Sequence, residues 1–291
     1  MTIPSVVSRL SGNTTTETLN QVIILPSGIQ SGNMIFIAVS YNKQPTITWD
    51  DSAAGAFTPL FNLTKSTTCL GAGYYKIADG TESDASLSIV TSISAGASWT
   101  AFVISGHNSA IEASVTGTGS GLTCSPLGLA PTWGSKDVLW ISGMAVPGTP
   151  SITGTPADYS ATYTAAGVGT TRSSLTSVEK GVSSTLSESI AQSVWAVSST
   201  NPKVMFLVGI QGAEAGGFTI TSVNEGNDVY SGQTFVKVVG TGLSNVTSAT
   251  YKGAACSEIS KSSSLSITMT FPNFFTNNIK VGAQHSLKVR G

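Results

Sequence analysis

The sequence predicts an all-β protein: a large antiparallel β-sandwich, jelly-roll-like and built from two similar halves, followed by an immunoglobulin-like β-sandwich. Three observations predict it. Apolar and polar residues alternate with period two in many short stretches. Turn signals such as "PSGIQSGN" and "ADGTE" recur between those stretches. Residues 1–213 also contain an internal repeat.

In chain order, "VIILPSGIQ" (from Val22) reads as an apolar strand running into a turn, and "NMIFIAV" (from Asn33) is continuously apolar, as a central sandwich strand would be. "TAFVISG" closes the first half at Gly106. The second half repeats the scheme with "SPLGLAPTW", then "DVLWIS" (from Asp137), then "VMFLVGI" ending at Ile210. "SGNMIFIA" begins at Ser31 and "SKDVLWIS" at Ser135, and Gly106 and Ile210 end the matching last strands; both offsets are 104. Neither half shows enough strands to cover both faces of a core, so the halves are expected to combine into one double-sheet sandwich; two small sandwiches in tandem are the alternative. "TLSESIAQSVW" spaces Leu186, Ile190 and Val194 for one helical face, a minor alternative to strand. "GAEAGG" (Gly212 to Gly217) marks a linker, placed at 214–217, and the segment 218–291 has the size of an immunoglobulin-like module. There "SLSITMTF" puts Leu265, Ile267, Met269 and Phe271 on one face of a half-buried strand.

Only 10% of residues are charged, against roughly 25% in ordinary soluble proteins. Ser, Thr, Asn and the 31 glycines take their place. Long charged side chains lose rotamer entropy when ordered, so a surface poor in them suits repeated contacts in an assembly. The net charge is −1 and no basic block exists, which argues against nucleic acid as a partner. The apolar stretches are shorter than the roughly 20 residues a bilayer span needs. No signal-peptide pattern stands at the N-terminus. Cys69, Cys124 and Cys256 are therefore expected to be reduced core residues, and the acceptor triplets at Asn13, Asn62 and Asn245 to be unmodified.

The chemistry-bearing residues form no catalytic constellation. His107, in "SGHNS", lacks a nucleophile motif and reads as a polar loop histidine; His285 reads as a surface residue. Trp49 with Asp50 and Asp51 pairs an aromatic with carboxylates, but adjacent strand residues point to opposite faces, so a core tryptophan before an Asp-rich turn is the plainer reading. Asp79, Glu82 and Asp84 could offer oxygens to Ca²⁺, though too sparsely for a dedicated loop. Trp99, Trp133, Trp140 and Trp195 read as core rather than as a sugar platform, and "GTGSG" (Gly117 to Gly121) lacks the Lys-Ser/Thr of a phosphate loop. The expectation is no enzyme, no cofactor and no metal.

Two resemblances add to this. "FTITSVNEGNDVYSGQTFVKVVGTGLSNVTSATYKGAAC" resembles the IPT/TIG family of immunoglobulin-like modules, through Ile220 to Val223, Gly232 with Thr234, Gly240 to Leu243, and Ala249 to Gly253. "ITMTFP", ending at Pro272, is similar to that family's later strand; Lys252 departs from its pattern. Residues 1–213 resemble a β-rich module of tailed-bacteriophage structural proteins, through Gly32–Asn33, Trp49 to Leu60 and, most diagnostically, "YYKIADGTE" (Tyr74 to Glu82). The resemblance implies a virion component. The expected role is a capsid decoration protein on the outer head, contacting the major capsid protein or other virion proteins as a homo-oligomer, with a trimer at a three-fold position. The alternative is a tail-associated receptor-binding protein that holds a host glycan.

Overall fold

The computed structural model describes residues 2–50, 57–118, 121–167, 172–185, 187–188 and 195–213, and then the strands 219–227, 234–241, 248–251, 254–255, 258–263, 266–271 and 287–290. The chain divides into two compact units, Met1–Ala213 and Glu214–Gly291. Every strand pairing among the described residues is antiparallel, and the protein is all-β.

The first unit begins with β1 (Ser5–Asn13), β2 (Thr18–Ile24), β3 (Met34–Tyr41), β4 (Ile47–Asp50), β5 (Thr58–Lys65), β6 (Cys69–Ile77), β7 (Ser86–Ala95) and β8 (Ala97–Ser105). It continues with β9 (His107–Thr118), β10 (Thr123–Cys124), β11 (Lys136–Pro147), β12 (Ile152–Gly154), β13 (Ser160–Ala166), β14 (Ser173–Thr185), β15 (Trp195–Val197) and β16 (Lys203–Gly212). The first eight form a five-stranded sheet, β1-β8-β3-β6-β5, and a three-stranded sheet, β2-β7-β4. The next eight repeat this order as β9-β16-β11-β14-β13 and β10-β15-β12. Each half is an eight-stranded jelly roll whose fifth strand has joined the larger sheet.

Three cores separate four layers. Ile35, Ile37, Val39, Trp99 and Val103 on the first five-stranded sheet pack against Ile23, Leu87 and Ile89 on the sheet β2-β7-β4. Met34, Phe36, Phe102 and Ile104 on the opposite face meet Leu139, Ile141, Phe206 and Val208 of the second five-stranded sheet. Beyond that sheet, Met144, Val146 and Met205 pack under Cys124, Trp195 and Val197. The two inner sheets are thus covered on both faces, which explains why all eight residues of β3 and all ten of β16 are buried and why those strands read as continuous apolar runs. Strand β2, in an outer layer, alternates instead.

This corrects the expected arrangement. Each half does cover its own core, because the short strands β4, β10, β12 and β15 complete a second sheet that the apolar runs alone did not reveal. The halves then stack through their larger sheets as two sandwiches. The repeat register also differs locally. Phe102 and Phe206, 104 apart, share the central core, but the same offset takes Met34 to Val138, which faces the opposite side of its sheet. Side chains alternate along a strand, so structural equivalence between β3 and β11 requires an odd offset.

The glycines have a use that composition concealed. In the first unit four sit directly opposite an aromatic residue in the strand register: Gly12 with Trp99, Gly73 with Phe61, Gly143 with Phe206 and Gly209 with Trp140. A Cβ on Gly143 would lie 2.1 Å from Phe206 Cζ, so the ring rests on bare backbone.

In the second unit, β17 (Thr219–Asn227), β18 (Thr234–Thr241), β22 (Ser266–Phe271) and β21 (Glu258–Ser263) form one sheet in the order β17-β18-β22-β21. Strands β19 (Ser248–Tyr251), β20 (Ala254–Ala255) and β23 (Leu287–Arg290) form another, β20-β19-β23. The first order corresponds to the A-B-E-D sheet of an immunoglobulin-type sandwich. Ile267, Met269 and Phe271 stand opposite Val238, Val236 and Thr234. The linker residues 214–217, Leu265, Cys256 and His285 lie outside the described residues, as do Leu186, Ile190 and Val194 of the helical alternative; Glu188 between them bridges to Leu129 and Trp195 opens β15.

Candidate functional site

The "YYKIADGTE" segment leads from β6 into the loop before β7, and its ionisable groups hold that loop together. The Glu82 side chain is fully buried. Its carboxylate receives Lys76 Nζ at 2.7 Å and the backbone N–H groups of Asp79 and Gly80 at 3.1 and 3.0 Å. Burial pulls the Glu82 carboxyl upward, yet the hydrogen bonds from Lys76 and the backbone outweigh it and hold the group below its usual range. Asp79 accepts from the Thr81 N–H and hydroxyl, and Ser83 Oγ accepts from the Gly28 N–H across the loops. Among the described residues no cluster of His, Cys, Asp and Glu has metal-ligand geometry. Of the carboxylates considered for Ca²⁺, Glu82 is engaged by Lys76 and backbone donors and Asp79 by Thr81 and Lys76.

His107 opens β9 immediately after Gly106, whose φ of +73° turns the chain from one half to the other. The Ser109 N–H donates to Nδ1 at 3.0 Å, which leaves Nε2–H to donate to the Gly32 carbonyl at 3.0 Å. Burial lowers the His107 pKa and the Gly32 bond opposes that shift only partly. This histidine ties the start of the second half to the β2–β3 loop of the first.

Trp49 stacks on Phe57 at 5.1 Å and meets Tyr74 edge-on at 4.7 Å, at the margin of the first core. Asp51 lies outside the described residues. Trp99, Trp140 and Trp195 are buried, and Trp49 and Trp133 are half-buried. Cys69 lies between the two inner sheets and Cys124 between the inner and outer sheets of the second half, both as free thiols. Burial pushes the Cys69 thiol up to about 12 and also raises that of Cys124. In the "GTGSG" segment Gly117 lies on β9, and residues 119–120 fall outside the described residues.

Three features escaped sequence reading. Lys203, the first residue of a wholly buried strand, is itself buried and donates to the carbonyls of Asn201 and Gly121 at 2.6 and 2.8 Å; burial lowers its pKa. A lysine heading an apolar run was the available signal. Arg9 on β1 lies 3.6 Å over the Tyr163 ring and 3.7 Å from Glu179, joining the two halves across the stack. Finally, a groove of about 540 Å³ runs between β12 and β13, lined by Pro150, Ser151, Thr153, Thr155, Thr162 and Thr164 among others. Its lining carries hydroxyls and no charge. Nothing in the sequence announced it, because it arises where β13 joins the inner sheet and leaves β12 as an open edge.

The buried Glu82 and Lys203 and the half-buried His107 are thus each hydrogen-bonded within the fold. No protein-family model, curated protein or solved structure matches the chain.

Proposed function

We propose that the chain is a non-enzymatic structural component of a tailed-bacteriophage virion, a decoration protein on the outer surface of the head. The observation that carries this reading is the duplicated jelly roll, built from a chain poor in charge and rich in Ser, Thr and Gly. Such a composition lets flat sheets meet neighbours at low entropic cost. Jelly rolls recur in viral capsid and lectin domains, a fold-level analogy that favours the same class. The "YYKIADGTE" resemblance adds the phage assignment, and one of the two units contacts the shell while the other projects. In this role the chain contacts the major capsid protein and works as a homo-oligomer.

A second reading, a tail-associated adhesion protein, is favoured by the neutral hydroxyl-lined groove between β12 and β13, which could accept a glycan's hydroxyls. Immunogold labelling of purified virions with antibody against the C-terminal unit separates the two. Label over the head supports decoration; label confined to the tail moves the assignment to host recognition; particles without label refute both.

A further inference from the structure

The outer face of the sheet β2-β7-β4 mixes apolar and hydroxyl side chains. Leu19, Val22 and Ile24 on β2 and Val90 and Ile93 on β7 are 42% to 54% exposed. In the register, Val22 stands beside Ser88, Ile24 beside Ser86 and Asn20 beside Val90, so on β2 itself the outward side chains nearest the open edge are Asn20, Val22 and Ile24. Strand β2 is also an edge: among the described residues it pairs only with β7.

Edge strands are normally guarded by charge, proline or brevity. Among the other edges of the first unit, β1 carries Arg9, β5 carries Pro59 and Lys65, β9 carries Glu112, and β4 ends in Asp50. Strands β10 and β12 are only two and three residues long. Strand β13 is uncharged but presents Thr162 and Thr164 rather than apolar side chains. Strand β2, "TLNQVII", is seven residues long, uncharged, and apolar on its open face.

These features suit pairing with a second copy. In a two-fold interface each strand meets its own copy running antiparallel, so a charge near the middle of the strand would face its twin. Strand β2 has none to face, and the nearest carboxylate, Glu17, lies beyond its end and is already paired with Lys43 at 2.5 Å. We infer that β2 is a dimerisation edge: a second copy of this chain adds its own β2 antiparallel, giving one continuous sheet β4-β7-β2-β2-β7-β4 with Val22 and Ile24 of both copies grouped at the axis. The interface is two-fold, in contrast to the three-fold trimer expected from shell symmetry, and it does not depend on the virion reading.

The test is light-scattering mass of the full chain over a range of concentrations. The wild type should show twice the 29.7 kDa chain mass. Val22→Lys should give the single-chain mass with an unchanged β circular-dichroism spectrum, and Thr162→Lys, on the other uncharged edge, should remain dimeric. A wild type that stays monomeric or forms trimers overturns the inference, as does a dimer that survives Val22→Lys or dissociates with Thr162→Lys. If Val22→Lys fails to fold, Val22→Cys in a Cys256→Ser background decides: Cys69 and Cys124 are buried, so mild oxidation should give a disulfide-linked dimer, and its absence overturns the proposal.

Discussion

Gly143→Ala is a sharp test of how the two halves stack. Gly143 and Phe206 are direct cross-strand partners on β11 and β16. An added Cβ would sit 2.1, 2.6 and 2.7 Å from three atoms of the Phe206 ring. The ring has little room to retreat: it is 1% exposed, stacks on Phe61 at 5.1 Å and meets Phe36 edge-on at 6.4 Å. Overpacking of this kind costs about 1–3 kcal/mol. Replacing glycine by alanine within a strand returns roughly 0.5–1 kcal/mol of backbone entropy. The clash outweighs that gain, for a net loss of about 1–2 kcal/mol. For a unit of this size the loss lowers Tm by about 2–8 °C. Thermal unfolding followed by circular dichroism measures it. Phe206→Leu added to Gly143→Ala should show less than additive destabilisation, because the second change removes the atoms the first one strikes. A Gly143→Ala protein with unchanged or higher Tm, or strict additivity in the cycle, refutes the account of Phe206 seated on bare backbone.

Further outcomes follow from the ionisable groups. Glu82→Gln leaves Lys76 facing a neutral amide and should cost about 3 kcal/mol by analogy with broken buried pairs; chemical denaturation reads this. Because the folded Glu82 pKa lies below its ordinary value near 4.5, its contribution is present above that pH and lost as pH falls through the folded pKa, so Glu82→Gln should flatten the acid limb of stability. The lowered His107 pKa has a related sense: stability is full above about pH 6.5 and declines as pH falls, since the unfolded chain takes up the proton first. His107→Gln should blunt that decline in melting curves from pH 7 to 5. Cys69 and Cys124 should resist alkylation at pH 8 until denaturant is added, as peptide mass mapping would reveal; labelling of either in the folded protein contradicts its burial.

Much of the fold was legible because its signals are local. Continuous apolar runs identified β3 and β11 as central strands and β16 as an apolar one, and alternation identified β22. The repeat was visible because each half needs the same central strands. Strands of two to four residues, such as β10, β12, β15 and β4, carry too few positions to show a period, and they decide whether a half can close on itself. The site residues divide along the same line. The sequence marked Glu82, His107 and the cysteines as chemically capable types, but burial and partners showed how they are used. Arg9 meets Tyr163 and Glu179 from a distant part of the chain, and no window of sequence contains that meeting.

By itself the sequence determined the all-β class, the apolar strands, the turns, and the low charge content, since each depends on side-chain periodicity or composition. Only the tertiary structure decided that the halves stack as two jelly rolls, that glycines seat aromatic rings, and that β2 is left open at an edge. Those outcomes depend on which strand pairs with which. Pairing is set by the summed burial of residues far apart in sequence, a quantity no short stretch of chain contains.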